Sequence, residues 1–330
     1  MPAEKNKKRI LSGIQPSGRP HLGNYLGAMR QHIEMQKDFE CFLFIADLHA
    51  LTTIHDAKQM QANTYDIAVS YLALGLDPEK TVFFKQSEIP QHAELCWIFD
   101  CLVKMPFLER AHAWKDAKAK GKKEESVGLF NYPVLQAADI LIYQPDLVPV
   151  GKDQKQHIEM SRDIAETFNR TFGETFKIPE PYIKEEVAVV PGTDGQKMSK
   201  SYGNTIDIFA EESELKKQVM SIVTDSTPLE EPKDPSKCHI FNIYKLLATK
   251  EETKSLEAKY KKGGFGYGDA KKLLLAKIFE YFKDAREKYK KIYSQKEMVY
   301  GILENGSNKA KILAEKMLKE VKTKVGYITR

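Results

Sequence analysis

The 330-residue chain lacks the features that mark a membrane protein or a disulfide-stabilised secreted protein. No apolar run approaches the roughly 20 residues that a membrane span needs. The opening MPAEKNKKRI is polar, and the apolar stretch after it is too brief for a secretory signal, so a cytoplasmic location is expected. The four cysteines are scattered without C-x-x-C spacing and are expected to be reduced structural thiols.

The sequence also lacks a Walker A motif, an internal repeat and a carboxylate cluster that could hold magnesium. The glycine-rich segment GGFGYG (263–268) follows a predicted helix rather than a strand, so it is not interpreted as a phosphate loop. What remains is the composition of an ordinary globular protein, 42% hydrophobic and 29% charged, with enough residues for two domains.

Acidic residues are in the minority in the C-terminal part of the chain. Residues 1–204 hold 25 Lys/Arg against 27 Asp/Glu, whereas residues 205–330 hold 26 against 19. A basic region joined to a nearly neutral one suggests a polyanionic partner for the basic part. A solvated helical surface has the same composition, so charge alone leaves both interpretations open.

Short apolar runs alternate with amphipathic helical spacing through residues 1–204. The predicted strands are RILSGI (9–14), ECFLFIADLHA (40–50), TVFFKQS (81–87), LVPVG (147–151) and VAVV (187–190). Such alternation predicts an α/β fold with a Rossmann-like parallel sheet, whose ligands bind at the carboxyl ends of the strands. Residues 205–330 contain lysine-rich helical patterns and predict an all-α C-terminal domain.

The first strand-to-helix junction, GIQPSGRPHLGN (13–24), is rich in glycine. The helix start behind it supplies unpaired N–H groups and the positive end of the helix dipole. His21 can donate a hydrogen bond to an anionic oxygen, and Gly23 leaves room for a flat ring against the backbone. An ordinary β–α turn capped by Asn24 fits the same residues, so this segment alone does not decide its function.

The segment NYPVLQAADILIYQ (131–144) predicts a helix with polar residues along one face. These residues are Tyr132, Gln136, Asp139 and Tyr143. Asp139 is flanked by apolar residues and is expected to be buried, so its carboxylate needs a partner. That partner is either an internal Arg or Lys or the N–H group of a ligand. Because no basic residue lies nearby in the sequence, the ligand is favoured.

A third junction, VPVGKDQKQHIEM (148–160), again joins a predicted strand to a predicted helix. Gly151 permits close approach of a ligand, and Asp153 and Gln154 carry polar groups at the same rim. Asp153 also fits the cap position of the helix that follows, so a purely structural role stays open.

A fourth segment, GQKMSKSYGN (195–204), has neither strand nor helix periodicity and is interpreted as a mobile loop with two cations. Here the chain resembles the class I aminoacyl-tRNA synthetases. His21–Asn24 resembles the HIGH-type signature of that class, and Lys197–Ser201 matches its KMSKS loop letter for letter. Over nearly the whole chain, GIQPSG, YPVLQAADIL, VPVGKDQKQHIE and GQKMSKSYGN resemble the bacterial tryptophanyl-tRNA synthetases.

The resemblance implies that ATP activates L-tryptophan to tryptophanyl-adenylate, which is transferred to tRNA(Trp) with release of AMP and diphosphate. A closing loop can deliver Lys197 and Lys200 to the diphosphate oxygens, on which charge builds in the transition state. The implied catalytic residues are His21, Lys197 and Lys200. No protein nucleophile is needed, because the substrate carboxylate attacks the α-phosphate. Mg²⁺ is expected to arrive with ATP.

The resemblance also implies two sets of binding residues. Those expected to meet ATP are Gln15, Pro16, Ser17, Gly23, Asn24, Gly151, Lys152, Asp153, Val190, Lys197, Met198, Ser199, Lys200 and Ser201. Those expected to bind tryptophan are Leu11, Gly13, His49, Tyr132, Asp139, Val148, Val150 and Gln154. Asp139 is expected to accept the indole N–H, while Gln154 and Tyr132 hold the α-ammonium group.

A tyrosyl-tRNA synthetase-like activity is the alternative within the class. In the tyrosine enzymes the position of Leu11 holds a tyrosine that helps to bind the substrate phenol, and Leu11 cannot donate a hydrogen bond. An apolar wall with the single carboxylate of Asp139 suits one N–H on a large ring. Gln136 departs from the pattern, because many tryptophan enzymes have Met there and the tyrosine enzymes usually have Gln.

The resemblance assigns roles to the remaining regions. Residues 1–204 are expected to form the Rossmann-fold catalytic domain, and residues 205–330 the helical domain that binds the anticodon. A homodimer is expected, with its contact in the inserted helical segment 104–144 and a lysine-rich flap at 112–125. Some relatives carry an iron–sulfur cluster in the tail. Since only Cys238 matches its ligands here, neither a cluster nor another protein-bound metal is expected.

Two hypotheses lie outside the class. A different nucleotidyltransferase or ligase with the same two signatures would not need the basic helical tail. A nonspecific RNA-binding protein on an inactive scaffold would not need His21, Gly23, Lys197 and Lys200, which are all present.

Overall fold

The computed structural model describes residues 7–111, 114–115, 118, 126–151, 155–182 and 189–328. In these residues a five-stranded parallel sheet has the strand order β3-β2-β1-β4-β5. Its strands are β1 (Arg9–Ile14), β2 (Glu40–Ile45), β3 (Thr81–Lys85), β4 (Leu147–Pro149) and β5 (Glu180–Tyr182). The strand order reverses between β1 and β4, so the switch point at which open α/β sheets bind ligands lies there. The predicted Rossmann-like sheet is confirmed.

Helices connect the strands and make up most of the described residues outside the sheet. In chain order they are α1 (Leu22–Asn24), a π-helical turn (Tyr25–Met29), α2 (Arg30–Met35), α3 (Asp47–Ala50), α4 (Ala57–Leu74), α5 (Gln91–Asp100), α6 (Met105–Leu108), α7 (Val127–Leu141), α8 (Lys155–Phe172), α9 (Glu212–Met220), α10 (His239–Tyr244), α11 (Lys250–Lys262), α12 (Tyr267–Tyr293) and α13 (Lys296–Lys324). Single 3-10 turns lie at Gln86–Glu88, Lys200–Tyr202 and Pro235–Lys237. The predicted helical C-terminal region is therefore observed, while the boundary at residue 204 stays a prediction.

Alternate side chains of β2 enter different hydrophobic clusters on the two faces of the sheet. Leu43 and Ile45 belong to a cluster that contains α4 and most of the buried residues of α9–α12. Phe42 and Phe44 belong to a second cluster, with α5, α7, α8 and part of α13. This alternation is why β2 is an almost continuous apolar run, as expected for a parallel strand buried on both faces.

Two predicted strands extend too far, and the error falls at the functional rim of the sheet. The strand predicted over 40–50 ends at Ile45, because Asp47–Ala50 form α3. The strand predicted over 81–87 ends at Lys85. The two turns bind each other: the Asp47 carboxylate accepts the Ser87 N–H at 2.9 Å, and the Gln86 side chain accepts the Leu48 N–H at 3.1 Å. These long-range bonds override the local strand pattern.

The last strand of the described sheet, β5, was not predicted from the sequence. Of the predicted VAVV strand, Val187 and Ala188 lie outside the described residues, and Val189 and Val190 belong to no strand. The sheet instead ends with β5, three residues that include Pro181. Proline is compatible with an edge strand, where one side of the backbone needs no ladder partner. So short a segment has too few residues to show a period.

The edge strand β3 is covered by α13 from the helical region. An added Cβ at Gly306 would lie 1.9 Å from the Phe83 carbonyl oxygen, so only glycine allows the helix this close to the strand. Ser307 donates a hydrogen bond to Glu88, and Lys322 pairs with Glu94 at 2.7 Å. A bare strand edge invites pairing with other chains, and α13 shields this one.

Candidate active site

A cavity of about 460 Å³ opens at the carboxyl ends of β1, β2 and β4. Its walls come from the ends of these strands and from one face of α7. The lining residues are Leu11, Ser12, Gly13, Gln15, Ala28, His32, Phe44, Ala46, His49, Tyr132, Gln136, Asp139, Ile140, Val148, Pro149, Val150 and Gly151. The structure therefore brings together the residues predicted to bind tryptophan, apart from Gln154, which lies outside the described residues. Gln15 and Gly151 of the predicted ATP set also line this cavity.

One wall of the cavity is apolar. Leu11 and Val148 are buried, and Val150 packs against the same cluster. At Gly13 an added Cβ would lie 2.6 Å from the Phe44 ring, so glycine is required for the strand and the ring to approach. The result is a flat apolar surface at the end of β1, suited to a large ring.

Asp139 lies at the bottom of the cavity with no exposed surface. Its Oδ1 accepts hydrogen bonds from Gln86 Nε2 at 2.8 Å and His92 Nδ1 at 2.7 Å. Its Oδ2 accepts from Gln86 Nε2 at 2.9 Å and His49 Nε2 at 2.7 Å. Burial alone would raise the pKa of Asp139, but its charge interactions and hydrogen bonds with His49 and His92 outweigh burial and lower that pKa to about 2.

Asp139 has internal partners of a kind that the sequence did not suggest. The donors are two histidines and a glutamine, none of them the Arg or Lys considered from the sequence. They belong to α3, the turn after β3, and α5, so they are remote from Asp139 in sequence. Parallel strands bring their carboxyl ends to one edge of the sheet, and this places the partners together.

Tyr132 precedes Asp139 on α7 and lies beside His49, one of the hydrogen-bond partners of Asp139. Its hydroxyl hydrogen-bonds to His157 of α8, and its ring meets the His49 ring edge-on at a centroid distance of 6.2 Å. Burial raises the pKa of Tyr132 to about 12, so the phenol stays protonated.

The HIGH-type segment forms the start of α1. His21 is the N-cap: its Nδ1 accepts the Asn24 N–H at 3.3 Å, and its own N–H bonds to the Asn24 side chain. Burial, together with the charge of Lys200, lowers the pKa of His21 to about 4, so the ring is neutral at pH 7. Because Nδ1 accepts, the proton of the neutral ring is on Nε2, which can donate. The cap is thus shared between histidine and asparagine, where the sequence suggested Asn24 alone.

The KMSKS loop lies directly against this helix start. Lys200 donates to the Ser17 carbonyl oxygen, and the Gly23 N–H points at the Met198 sulfur at 3.3 Å. Partial burial lowers the pKa of Lys200. Two segments that are roughly 175 residues apart in sequence therefore meet in space.

The Asn204 side chain forms hydrogen bonds that join several positions of the KMSKS loop to one another. It accepts the Ser199 N–H at 2.7 Å and donates to Asp194 at 2.7 Å and to the Lys197 carbonyl at 3.2 Å. The side chain is 2% exposed, which is low for a residue in a surface loop. The loop is thus a formed structure, and this amide links three of its positions.

The other residues of the predicted ATP set are divided between several places. Pro16 and Val190 are buried, and the Val190 carbonyl accepts the Met198 N–H at 2.9 Å. The hydroxyls of Ser199 and Ser201 are 2.9 Å apart. Lys152 and Asp153 lie outside the described residues. The lysine-rich flap predicted at 112–125 also lies almost wholly outside them.

Lys197 lines a second cavity, away from Lys200. This second cavity, of about 290 Å³, lies between the loop and α10 and is lined by Val189, Pro191, Gly195, Gln196, Lys197, His239, Asn242, Lys245 and Leu246. In this arrangement Lys200 lies against the HIGH-type segment, while Lys197 faces the helical region.

Several functional residues have no signal in the sequence that isolates them. Gln86 and His92 bind Asp139 and lie outside the quoted motifs, and Asn204 ends the segment GQKMSKSYGN without being among the residues predicted for the site. A buried charge demands partners, so a search for polar residues at the other strand ends would have found Gln86.

No group of three or more His, Cys, Asp or Glu side chains in the described part of the chain could hold a metal ion. Cys238 lies 3.3 Å from the Tyr260 hydroxyl, and the four cysteines form no disulfide. No helix in the same residues is both long enough and apolar enough to span a bilayer.

Comparison with known families agrees with the two signatures. A family model described as tRNA synthetases class I (W and Y) matches residues 3–283. The chain therefore belongs to this family, and the resemblance inferred from the motifs is confirmed.

The alignments with individual relatives cover nearly the full length of this chain and of each relative. A tryptophan–tRNA ligase from Fusobacterium nucleatum is 52% identical over 97% of this chain and 98% of its own. One from Rhodopirellula baltica is 50% identical, covering 96% and 99%. A crystal structure of tryptophanyl-tRNA synthetase from Campylobacter jejuni, complexed with ADP and tryptophan, is 49% identical. It superposes with a TM-score of 0.91 over 96% of this chain and 99% of that one.

Proposed function

We propose that this chain is a tryptophan–tRNA ligase, which activates L-tryptophan with ATP and transfers it to tRNA(Trp), releasing AMP and diphosphate. The observation that carries the proposal is the identity of about half the residues with curated tryptophan–tRNA ligases over 97% of the chain. The cavity at the switch point of the sheet, with its buried carboxylate and apolar wall, supports it.

The tryptophan carboxylate attacks the α-phosphate of ATP, and the chain supplies positioning and charge. The neutral His21 ring donates from Nε2 to a phosphate oxygen. Lys200 moves from the Ser17 carbonyl to the departing diphosphate, and Lys197 turns from its own cavity to the same oxygens. Such donors stabilise the transition state in which charge builds on the leaving group. Mg²⁺ comes with ATP as part of the substrate.

Tryptophan is favoured over tyrosine by the relatives and by the cavity. The curated relatives at about 50% identity are tryptophan enzymes. Leu11 offers the substrate ring no hydrogen bond, whereas Asp139 at the bottom of the cavity can accept one. A hydrogen bond to a charged group contributes about 1.5–3 kcal/mol. The remaining pocket residues proposed from the motifs are Gly13, His49, Tyr132, Val148, Val150 and Gln154.

The test is ATP–diphosphate exchange with each amino acid. Tryptophan should support exchange, and a higher rate with tyrosine would overturn the assignment. Lys200→Ala should reduce tryptophan-dependent exchange by about 100–1000-fold, the usual cost of losing one preorganised donor. Lys58→Ala, an exposed lysine on α4, is the matched control and should leave exchange unchanged. Exchange that survives Lys200→Ala at the wild-type rate would remove that lysine from the mechanism.

The remaining partners are part of the same proposal. The enzyme works in the cytoplasm as a homodimer, binds tRNA(Trp) through the helical region 205–330 and carries no iron–sulfur cluster. The dimer contact is assigned to segment 104–144, where the side chains of Met105 and Val127 are 63% and 82% exposed in the single chain. Val127→Glu should convert a dimer to a monomer in analytical ultracentrifugation. A wild-type monomer at micromolar concentration would contradict the contact.

A further inference from the structure

The carboxylate of Asp139 is held from two sides. His49 approaches from the cavity, whose wall it forms. Gln86 and His92 approach from behind and do not belong to the cavity lining. A carboxylate has about four acceptor positions, and these three side chains occupy them with four contacts between 2.7 and 2.9 Å. Of the three donors, only His49 can be exchanged for a ligand without disturbing the protein behind the cavity.

His92 passes the constraint on to a third residue. An ionised carboxylate only accepts, so the proton facing Asp139 is on His92 Nδ1. The other nitrogen of the ring, Nε2, is 2.6 Å from the Tyr143 hydroxyl. Burial raises the pKa of Tyr143, so its hydroxyl keeps its proton, and the hydroxyl and the ring nitrogen are bonded whichever of them donates. Tyr143 thus holds the His92 ring in place behind the carboxylate.

Gln86 is held with equal rigidity. Its side chain is fully buried, its Nε2 donates to both oxygens of Asp139, and its Oε1 accepts the N–H groups of Leu48 and His49 at 3.1 and 3.4 Å. A flipped amide would place two donors against two backbone donors, so one orientation is fixed. The same amide therefore orients Asp139 and the turn that carries His49.

We propose that Gln86 and His92 are positioning residues that hold the Asp139 carboxylate ionised and aimed into the cavity, so that it selects a substrate ring carrying an N–H group. The inference rests on the proposed function, since it concerns recognition of tryptophan. Its consequence is selectivity. A ring without the N–H group can take the place of His49 but leaves the carboxylate one donor short, which is unfavourable in a buried site.

The experiment measures ATP–diphosphate exchange with tryptophan and with its benzothiophene analogue, in which sulfur replaces the ring N–H. Gln86→Leu and His92→Leu should raise the KM for tryptophan about 10- to 100-fold, as expected for losing orientation of a charged acceptor. They should also lower the ratio of kcat/KM for tryptophan to kcat/KM for the analogue towards one. The KM for ATP and the kcat at saturating tryptophan should change less than about threefold.

Conservative variants separate positioning from general damage. His92→Asn keeps a donor near the Nδ1 position and should restore most of the discrimination that His92→Leu loses. Tyr143→Phe removes only the outer hydroxyl and should have the smallest effect. Discrimination that stays at the wild-type value in Gln86→Leu or His92→Leu overturns the proposal. If the leucine variants do not fold, Gln86→Asn, whose shorter side chain withdraws the donor from the carboxylate, decides in the same way, and wild-type discrimination in that variant overturns the proposal. A wild-type enzyme without tryptophan-dependent exchange would instead overturn the proposed function.

Discussion

The bottom of the cavity and the KMSKS loop lie at the same edge of the sheet, but they are built in different ways. Asp139 is fully buried and bound by three side chains from three separate elements. The loop of Lys200 is fastened by Asn204, and most of that amide's partners belong to the loop itself. Asp139 is therefore part of the core. The loop is joined internally by the Asn204 amide and touches the HIGH-type segment through Lys200 and Met198.

This difference matches what each region is proposed to do. A ring-selecting carboxylate has to be in place before the substrate arrives, because a group that reorganises on binding loses selectivity. A cation that follows charge onto a leaving group has to move during the reaction. Substitutions at the bottom of the cavity should therefore lower both stability and activity, whereas substitutions in the loop should lower mainly activity.

The largest effect is expected at Asp139. Asp139→Asn should lower tryptophan-dependent exchange by about 100-fold and the free energy of unfolding by about 3–5 kcal/mol, because three buried donors lose their charged acceptor. Urea unfolding and exchange kinetics measure the two changes. The surface carboxylate that pairs with Lys80 supplies the control, and Asp77→Asn should change neither. A stable but inactive Asp139→Asn would show that the region is less integrated with the core than the contacts indicate.

A smaller effect, mainly on activity, is expected at Asn204. Asn204→Ala removes a buried amide from the Ser199 N–H, Asp194 and the Lys197 carbonyl, so the free energy of unfolding should fall by about 1–2 kcal/mol, less than for Asp139→Asn. The kcat for exchange should fall by about tenfold, because Lys200 is no longer presented in one position. Gln196→Ala, in the same loop, is the control. A loss of stability equal to that of Asp139→Asn would abolish the distinction between the regions.

The smallest effect is the pH dependence of the free energy of unfolding, because buried histidines and Asp139 titrate in different pH ranges. Burial lowers the pKa of His32, as it does that of His21, to about 4, below the unfolded value of 6.5. The unfolded chain therefore binds more protons between pH 6.5 and 4, and stability falls as the pH drops through that window. Asp139 has a folded pKa of about 2 against 3.8, so its contribution is present above pH 3.8 and is lost only below it.

Urea midpoints measured from pH 7 to pH 4.5 check this order. The free energy of unfolding should decrease by about 1–2 kcal/mol by pH 5 on account of His32, at 1.36 kcal/mol per pKa unit. His32→Asn should reduce the slope of the profile and leave the smaller contribution of the less buried His21. An Asp139→Asn variant should keep the wild-type slope above pH 4.5, and a changed slope there would mean that Asp139 titrates in the same range as the histidines.

The sequence allowed the sheet and the two signatures to be predicted, because both depend on local patterns. Apolar runs such as ECFLFI mark buried strands, and HLGN and KMSKS are contiguous. The partners of Asp139 could not be predicted, since Gln86 and His92 reach it only after β3 and α5 have docked. The ends of β2 and β3 were missed for the same reason: Asp47 accepts the Ser87 N–H, and Gln86 accepts the Leu48 N–H, across the two strand ends.

The contact between Gly306 and Phe83 bears on how the chain is made. On the ribosome, β3 emerges long before α13, which is the element that covers it. Until then a nascent sheet exposes a ready template for pairing with neighbouring nascent chains. The β3 edge of the sheet is therefore covered only after α13 has been synthesised. Premature termination within α13 should yield insoluble product rather than a working fragment.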